Sequence, residues 1–512
     1  MSRAIRIATL ASVIGLLWSG QPAFSQTPPT PDTEVEAIRR ELKKLQERLE
    51  ELEQGRHGRG AMPAVAPARG TADGGAPAGT PATPTTTAQV AGEREITLET
   101  EHPVELLGLQ KPEPAGVRFN GFFAGSASYN SHVQMVPEFA GGAPALADPG
   151  SVNFRFDTFT FGVSKTFASW LSAGATIEVE SHRDRHSHGF DPAFGCPGSG
   201  VCVEAFGSEE PETEVDLHRF HVTGVVPIGN GVSASFGRFD VPFGLERHDQ
   251  NLLFTATSSE VFQFGRPTSM TGFQGAYAFA PWLDVTGWVV NRWEAVTTHD
   301  PFDDNNRAKS FGGRLGITPF PAQRLLNVGI GGWWGHEQTD DTANPRWLVD
   351  LDVTWSPLPR LLLAGEAIYG GESGVSFRER GIPFPAAAVE DEDVNWWGFY
   401  LLAHYDLHDW LGLTFRYGLF RDEDAARTGV EQTLQSWTVA PVLHLSRLVP
   451  GLRPLGVTYP RTRHPLHWVD LKLEYRLNHS SRPVFSDRRP GVNISDADRT
   501  SHQLQLQLVV NY

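Results

Sequence analysis

Lysine is scarce in this 512-residue chain: only Lys43, Lys44, Lys111, Lys165, Lys309 and Lys472 occur, the last three of them after residue 116. Lys and Arg together number 43 against 60 Asp and Glu, a net charge of −17. Nucleic acid is excluded as a partner, because a phosphate backbone must be met by surplus cations. Long apolar runs are missing too. With 40% hydrophobic residues and no series of runs of about 20 apolar residues, a helical membrane protein is excluded, whereas a barrel that alternates polar and apolar residues is not. The apolar stretch from Ile7 to Trp18 is too short to span a bilayer. It follows Arg3 and Arg6 and precedes the small-x-small run Ala23-Phe24-Ser25, so residues 1–25 read as a signal peptide. Cysteine is nearly absent. Export leads to an oxidising compartment, so Cys196 and Cys202, the only two, are expected to pair with each other across a small loop in a structural role.

What is present falls into three parts, and nothing divides into soluble domains of ordinary size. Val35, Ile38, Leu42, Leu45, Leu49 and Leu52 recur at spacings of 3, 4, 3, 4 and 3, the period of a coiled-coil seam. Glu34 with Arg39 and Arg48 with Glu53 stand five apart, where parallel chains can pair charges. Residues 34–54 are therefore expected to form a periplasmic coiled coil. A segment this short is marginal alone and assembles only when another part of the protein gathers the chains. Residues 55–115, rich in Gly, Pro, Ala and Thr, bury too little to offset ordering and read as a disordered linker.

From about residue 116 to 512 the period becomes two. Val469, Leu471, Leu473, Tyr475 and Leu477 alternate with Asp470, Lys472, Glu474, Arg476 and Asn478, so one face is apolar and the other polar or charged. Such a strand separates lipid from water. Strands of nine or more residues exceed the usual strand of a soluble sandwich and suit a tilted crossing of a bilayer. The alternation places sixteen strands near 117–129, 152–166, 170–182, 214–226, 231–238, 268–280, 282–292, 308–319, 324–336, 346–356, 360–369, 393–405, 410–420, 433–446, 466–477 and 500–512, with 14 to 18 as the range the pattern allows. Long connections alternate with short ones, as in outer-membrane barrels with long outer loops and short periplasmic turns. The connection at 447–465 is long for a turn. An all-β, antiparallel transmembrane barrel in the cell outer membrane, in contact with lipid and lipopolysaccharide, is the expected fold class.

Leu504, Leu506, Leu508, Val510 and Tyr512 form an apolar row closed by a terminal aromatic. The row resembles the signal by which barrel-assembly machinery recognises such proteins. Trp282, Trp347, Trp355, Trp410 and Trp437 near strand ends fit interfacial girdles.

The runs GRFDVPFGLE (237–246), GWVVNRWE (287–294), DDNNRAKSFGGR (303–314), FRDEDAARTG (420–429) and DLKLEYRLNHS (470–480) together resemble the OmpL-like putative β-barrel porin family. A more distant likeness, chiefly through Pro-Phe-Gly, is to the phosphate-selective porins. The resemblance covers about residues 117–512 and implies a passive, oligomeric outer-membrane channel, with a homo-trimer expected and no cofactor.

A barrel of this strand number is too wide for side chains alone to fill. Selection then needs an inward loop, and the connection 239–267, with its Pro242-Phe243-Gly244 break and Arg247, His248, Asp249 and Glu260, is assigned as the constriction. Parity turns Arg118, Arg314, Arg416, Lys472 and Arg476 toward water, together with Glu178, Glu180, Asp284, Asp350, Asp352, Glu366, Asp470 and Glu474. Each charge taken singly reads as an ordinary solvated wall residue. The mixture of signs and the few lysines speak against phosphate and predict weak selectivity, slightly favouring cations or neutral polar solutes.

His182, Asp184, His186 and His188 would share one side of an extended chain, but the plainer reading is a polar loop, and no metal is assigned. Asp300, Asp303 and Asp304 could meet cations that bridge lipopolysaccharide. No catalytic constellation stands out, so an enzyme is not expected. A structural alternative is a tether, with the coiled coil and linker reaching peptidoglycan and the barrel as anchor.

Overall fold

The computed structural model describes residues 117–134, 150–168, 170–184, 210–293, 304, 306–321, 325–338, 341–375, 392–428, 430–449, 454–459, 461–486 and 498–512. The expected signal peptide, coiled coil and linker, together with Cys196, Cys202, His186, His188, Asp300 and Asp303, lie outside the described residues, as do the side chains of His182 and Asp184.

Sixteen strands follow one another: β1 (Val117–Asn130), β2 (Val152–Ala168), β3 (Leu171–Asp184), β4 (Glu210–Val226), β5 (Val232–Asp240), β6 (Ser269–Ala280), β7 (Leu283–Val290), β8 (Ser310–Ile317), β9 (Leu326–His336), β10 (Pro345–Leu358), β11 (Leu361–Val375), β12 (Glu392–His408), β13 (Leu411–Asp422), β14 (Gln432–His444), β15 (Val469–Ser480) and β16 (Thr500–Asn511). Each pairs antiparallel with the next, and β1 pairs with β16 from Phe122↔Asn511 to Asn130↔Gln503, closing a barrel. Closure satisfies the row of backbone donors and acceptors that an edge strand would expose to lipid.

The sixteen expected segments are all strands. The largest difference is at the end of β11, which runs to Val375 because Gly370, Gly371 and Glu372 keep pairing with Trp396, Asn395 and Val394. Gly-rich sequence reads as loop, but here the backbone ladder continues through it.

Alternation sets which face is wet. On β15, Leu473 and Tyr475 are 44% and 43% exposed while Lys472 and Glu474 are buried. On β16, Leu504, Leu506 and Leu508 face out and Gln503, Gln505 and Gln507 face in. At the end carrying the short turns, Trp170, Phe279, Trp282, Trp355 and Trp410 stand exposed, the belt that amphipathic rings make at a membrane interface.

The interior departs from a water-filled tube. Trp288, Trp333, Leu348, Leu362, Ile368, Trp396, Tyr400 and Phe420 point inward and are buried together with Phe243, Phe254, Phe264, Leu455, Tyr459 and Leu466 from two connections. Fully burying side chains of this size is worth roughly 1.5–3 kcal/mol each. The apolar inner wall over β7 to β14 is therefore a seat for segments folded into the barrel.

Candidate functional site: the barrel interior

The first inward segment, residues 241–268, leaves β5 at the end of the long loops. Phe243 is fully buried and meets Trp288 edge-on at 5.6 Å. Gly244 has φ +59°, and a Cβ there would lie 1.7 Å from Glu366 Oε2, so the Pro-Phe-Gly break requires glycine both for its turn and for its closeness to β11. Tyr400 Oη of β12 accepts from the Leu245 N–H at 3.2 Å. Arg247 folds back, donating to the carbonyls of Phe243, Gly244 and Glu246 at 3.0, 3.1 and 2.9 Å. At its end the segment is tied down by Arg266, whose Nε lies 2.6 Å from Glu366 Oε1.

The charges of β13 and β15 grip this segment. Arg416 donates to Glu246 at 2.9 Å and to Thr255 Oγ1 at 2.9 Å. Lys472 donates to the carbonyls of Gln250 and Leu253, both at 2.7 Å. Glu474 accepts from the Ala256 and Thr257 N–H groups at 2.7 and 3.1 Å. Arg476 donates to Glu260 at 2.5 Å and to the Ser258 carbonyl at 2.8 Å. Burial acts to raise the Glu260 carboxyl, but Arg476 and Arg416 outweigh it and hold it below the usual range. These wall charges, with Asp352 and Glu366, thus cover donors and acceptors that a coil inside a barrel would otherwise leave unsatisfied.

The second inward segment enters from the turn end between β14 and β15, over residues 454–459 and 461–468. Thr458 and Pro465 form an antiparallel bridge, and Arg461 sits at the tip with φ +59°. Arg461 donates to Asp352 at 2.9 Å, to the Pro242 carbonyl at 2.8 Å and to the Gly244 carbonyl at 3.2 Å. Tyr459 stacks on Phe254 at 4.3 Å between ring centres. The two inward segments therefore touch each other in the middle of the barrel.

Opposite them, the inner wall over β2 to β5 keeps a small polar row. Ser164, Ser172, Thr176, His221 and Ser235 are only half-buried. A cavity of about 720 Å³, part of it open to solvent, lies between Thr160, Thr176 and Arg219 of this wall, Asp249 and Asn251 of the first inward segment, and Leu466 of the second. A bulge opposite Thr176 and Ile177 inserts His218 beside Arg219. His218 Nδ1 lies 2.9 Å from Glu178 Oε2, and Arg219 Nη2 lies 2.8 Å from Asp249. His248 approaches Glu178 at 3.5 Å and Glu180 at 3.9 Å.

Of the residues singled out in the sequence, Arg247, His248, Asp249, Glu260, Arg416, Lys472, Glu474 and Arg476 are thus joined around residues 241–268. Arg314 and Asp352 pair with each other at 2.8 Å, and Glu366 pairs with Arg266. Asp350 and Asp284 are buried on the same inner wall. Asp470 accepts from His444 at the turn end, and Arg118 sits half-buried on β1, opposite Ser164. Asp304 is paired with Lys309 in an outer loop. Glu246, Arg219, Arg266 and Arg461 were not singled out. Nor was a group at the turn end, where His404, His444 and His464 surround Asp406. The signal that pointed toward the last two was the unusual length of the connection at 447–465. Among the described residues, two clusters bring donor atoms within 4.8 Å of one another, as a metal ion would need: Glu178 with His218 and His248, and Asp406 with His404 and His464.

The family model described as "Putative beta-barrel porin-2, OmpL-like" matches residues 174–508. No curated protein matches the sequence. Among solved structures, the chain is similar to the outer membrane channel DcaP of Acinetobacter baumannii, with 11% identity and a TM-score of 0.47 over 79% of this chain and 99% of that one. It is also similar to the anion-selective porin from Comamonas acidovorans, with 11% identity and a TM-score of 0.44 over 78% and 100%. A third is the loop L8 deletion mutant of OmpT, an outer membrane protein of Vibrio cholerae, with 9% identity and a TM-score of 0.44 over 78% and 100%.

Proposed function

Since the chain belongs to the OmpL-like family of β-barrel porins, an outer-membrane family, we propose that it is a passive channel for small hydrophilic solutes and ions whose path is narrowed by residues 241–268. The observation that carries this is a division of the interior. The inward segments are held to the apolar and charged wall of β7 to β15, while the wall of β2 to β5 keeps half-buried Ser and Thr side chains beside a cavity. Solutes pass along that polar wall, between it and Asp249 and Asn251. Arg219, the cation beside the cavity, is offset by Asp240 and Asp249. The path therefore selects weakly, with a slight preference for cations or neutral polar solutes.

The heptads at 34–54 support an oligomer with a periplasmic coiled coil, the family likeness makes that oligomer a homo-trimer, and the linker carries the coil to peptidoglycan. Leu504, Leu506, Leu508, Val510 and Tyr512 are the recognition row for assembly.

Planar-bilayer recording of the refolded full chain tests the channel. Ohmic steps with a reversal potential near zero, or slightly on the cation side, are expected in a salt gradient. A strong anion preference would overturn the selectivity, and the absence of any conductance would overturn the channel.

A further inference from the structure

We propose that His404, Asp406 and His464 form a binding site for a divalent transition-metal cation of the Zn²⁺ type, which fastens the inward segment at 454–468 to the barrel wall. Thr414 has a single hydroxyl proton, and it is donated to the Phe254 carbonyl at 3.0 Å. Its oxygen can therefore only accept from His404 Nδ1, 2.8 Å away, so the neutral ring carries its proton on Nδ1 and a lone pair on Nε2. That lone pair faces Asp406 Oδ1 at 3.1 Å. His444 stands beside this group, its Nδ1 donating to Asp470 at 2.8 Å and its Nε2 lying 3.8 Å from the same Asp406 oxygen. His464, from the inward segment, brings Nδ1 to 3.4 Å from the other carboxylate oxygen. Its Nε2 has no hydrogen-bond partner among the described residues.

A neutral ring held this way shares a cation with the carboxylate it faces, whereas an imidazolium would donate to that carboxylate directly. Ligand atoms around a tetrahedral ion with bonds of 2.0–2.1 Å stand about 3.3 Å apart, and the separations of 3.1 and 3.4 Å from His404 and His464 to Asp406 fit three of its positions. Imidazole nitrogen with one carboxylate suits Zn²⁺ and its neighbours rather than Ca²⁺ or Mg²⁺, which take oxygen. Thr414 is the outer partner that fixes the His404 ring. Gly412 of β13 keeps the space open, since a Cβ there would lie 2.5 Å from His404 Cε1 and 3.4 Å from Asp406 Oδ1. The donors come from β12 and the inward segment, so a bound ion links a connection to the wall at the periplasmic end. The inference does not rest on the channel reading, because binding is measured without ion flow.

The test is calorimetric titration of ZnCl₂ into the refolded full-length protein in detergent. One Zn²⁺ per chain is expected at this site, with His404→Gln and His464→Gln each weakening it about 10- to 100-fold. His218→Gln, in the other cluster, should leave that component in place. An isotherm unchanged by both substitutions in folded barrels overturns the site, as does the absence of Zn²⁺ binding in the parent. Should either variant fail to fold, the parent loaded with Co²⁺ decides: an intense visible band of a four-coordinate ion supports the site, and the pale spectrum of a hexahydrated ion overturns it.

Discussion

Arg461, at the tip of the segment entering from the turn end, donates to Asp352 of β10 at 2.9 Å, while Asp352 also accepts from Arg314 of β8 at 2.8 Å. Arg461→Met removes the tip's bonds to Asp352, Pro242 and Gly244 but leaves Asp352 paired, so no buried charge is orphaned. The expected loss is about 1.5–3 kcal/mol, the scale of hydrogen bonds to charged groups. Limited proteolysis of the refolded protein should cut faster within 454–468, and unit conductance should rise. Unchanged cleavage and conductance would show that the tip does not hold the segment.

Arg416→Met is more severe, because it strips Glu246 of its cation in a buried setting. Breaking such a pair costs about 3–5 kcal/mol, to be read as a lower denaturant midpoint in detergent with larger, noisier conductance steps. Arg360 and Asp409 form an exposed pair at 2.7 Å, and exposed pairs are worth about 0–1 kcal/mol. Arg360→Ala should therefore leave both readings as they are, and an equal response of the two variants would refute the anchoring role.

Glu260 carries a pH signature. Its folded carboxyl lies below the ordinary value of 4.5 because Arg476 and Arg416 outweigh the opposing effect of burial. A depressed carboxyl contributes its stability fully above its unfolded-state value, and that contribution is lost as pH falls through the folded value. Glu260→Gln is expected to cost stability at neutral pH, with the gap to the parent closing progressively below pH 4.5. A gap that widens on acidification in paired denaturation curves contradicts this.

The outward row of β16 makes a prediction about lipid. Leu506→Arg puts a cation on the bilayer side of a mid-strand position and should cost about 2–4 kcal/mol of folding free energy in vesicles. Gln505→Asn, one residue away and inward, should cost less, since it puts no charge into lipid. Equal penalties would mean that the parity of the strand had been misread.

Period-two alternation made the wall legible in the sequence, because a membrane on one side and a polar interior on the other impose opposite chemistry on successive residues. Lys472, Glu474 and Arg476 were legible as inward for that reason. What they bind was not. A buried charge holding a carbonyl and a charge in open water occupy the same parity, and spacing does not tell them apart. Strand β12 carried the missing hint: Trp396, Tyr400 and Leu402 face in while Trp397 and Leu401 face out, so both sides are apolar and the inner side must be covered by something. His404 and His444 reach Asp406 from the wall strands β12 and β14, and only the return of the chain between β14 and β15 adds His464 to Asp406 and lays His467 on His444.

The handclasp between the two inward segments ties the long-loop end of the barrel to the short-turn end. Pro242 and Gly244 follow directly from β5, and both accept from Arg461, whose own stretch of chain leads back to the turn end between β14 and β15, so neither segment can be drawn out without loading the other.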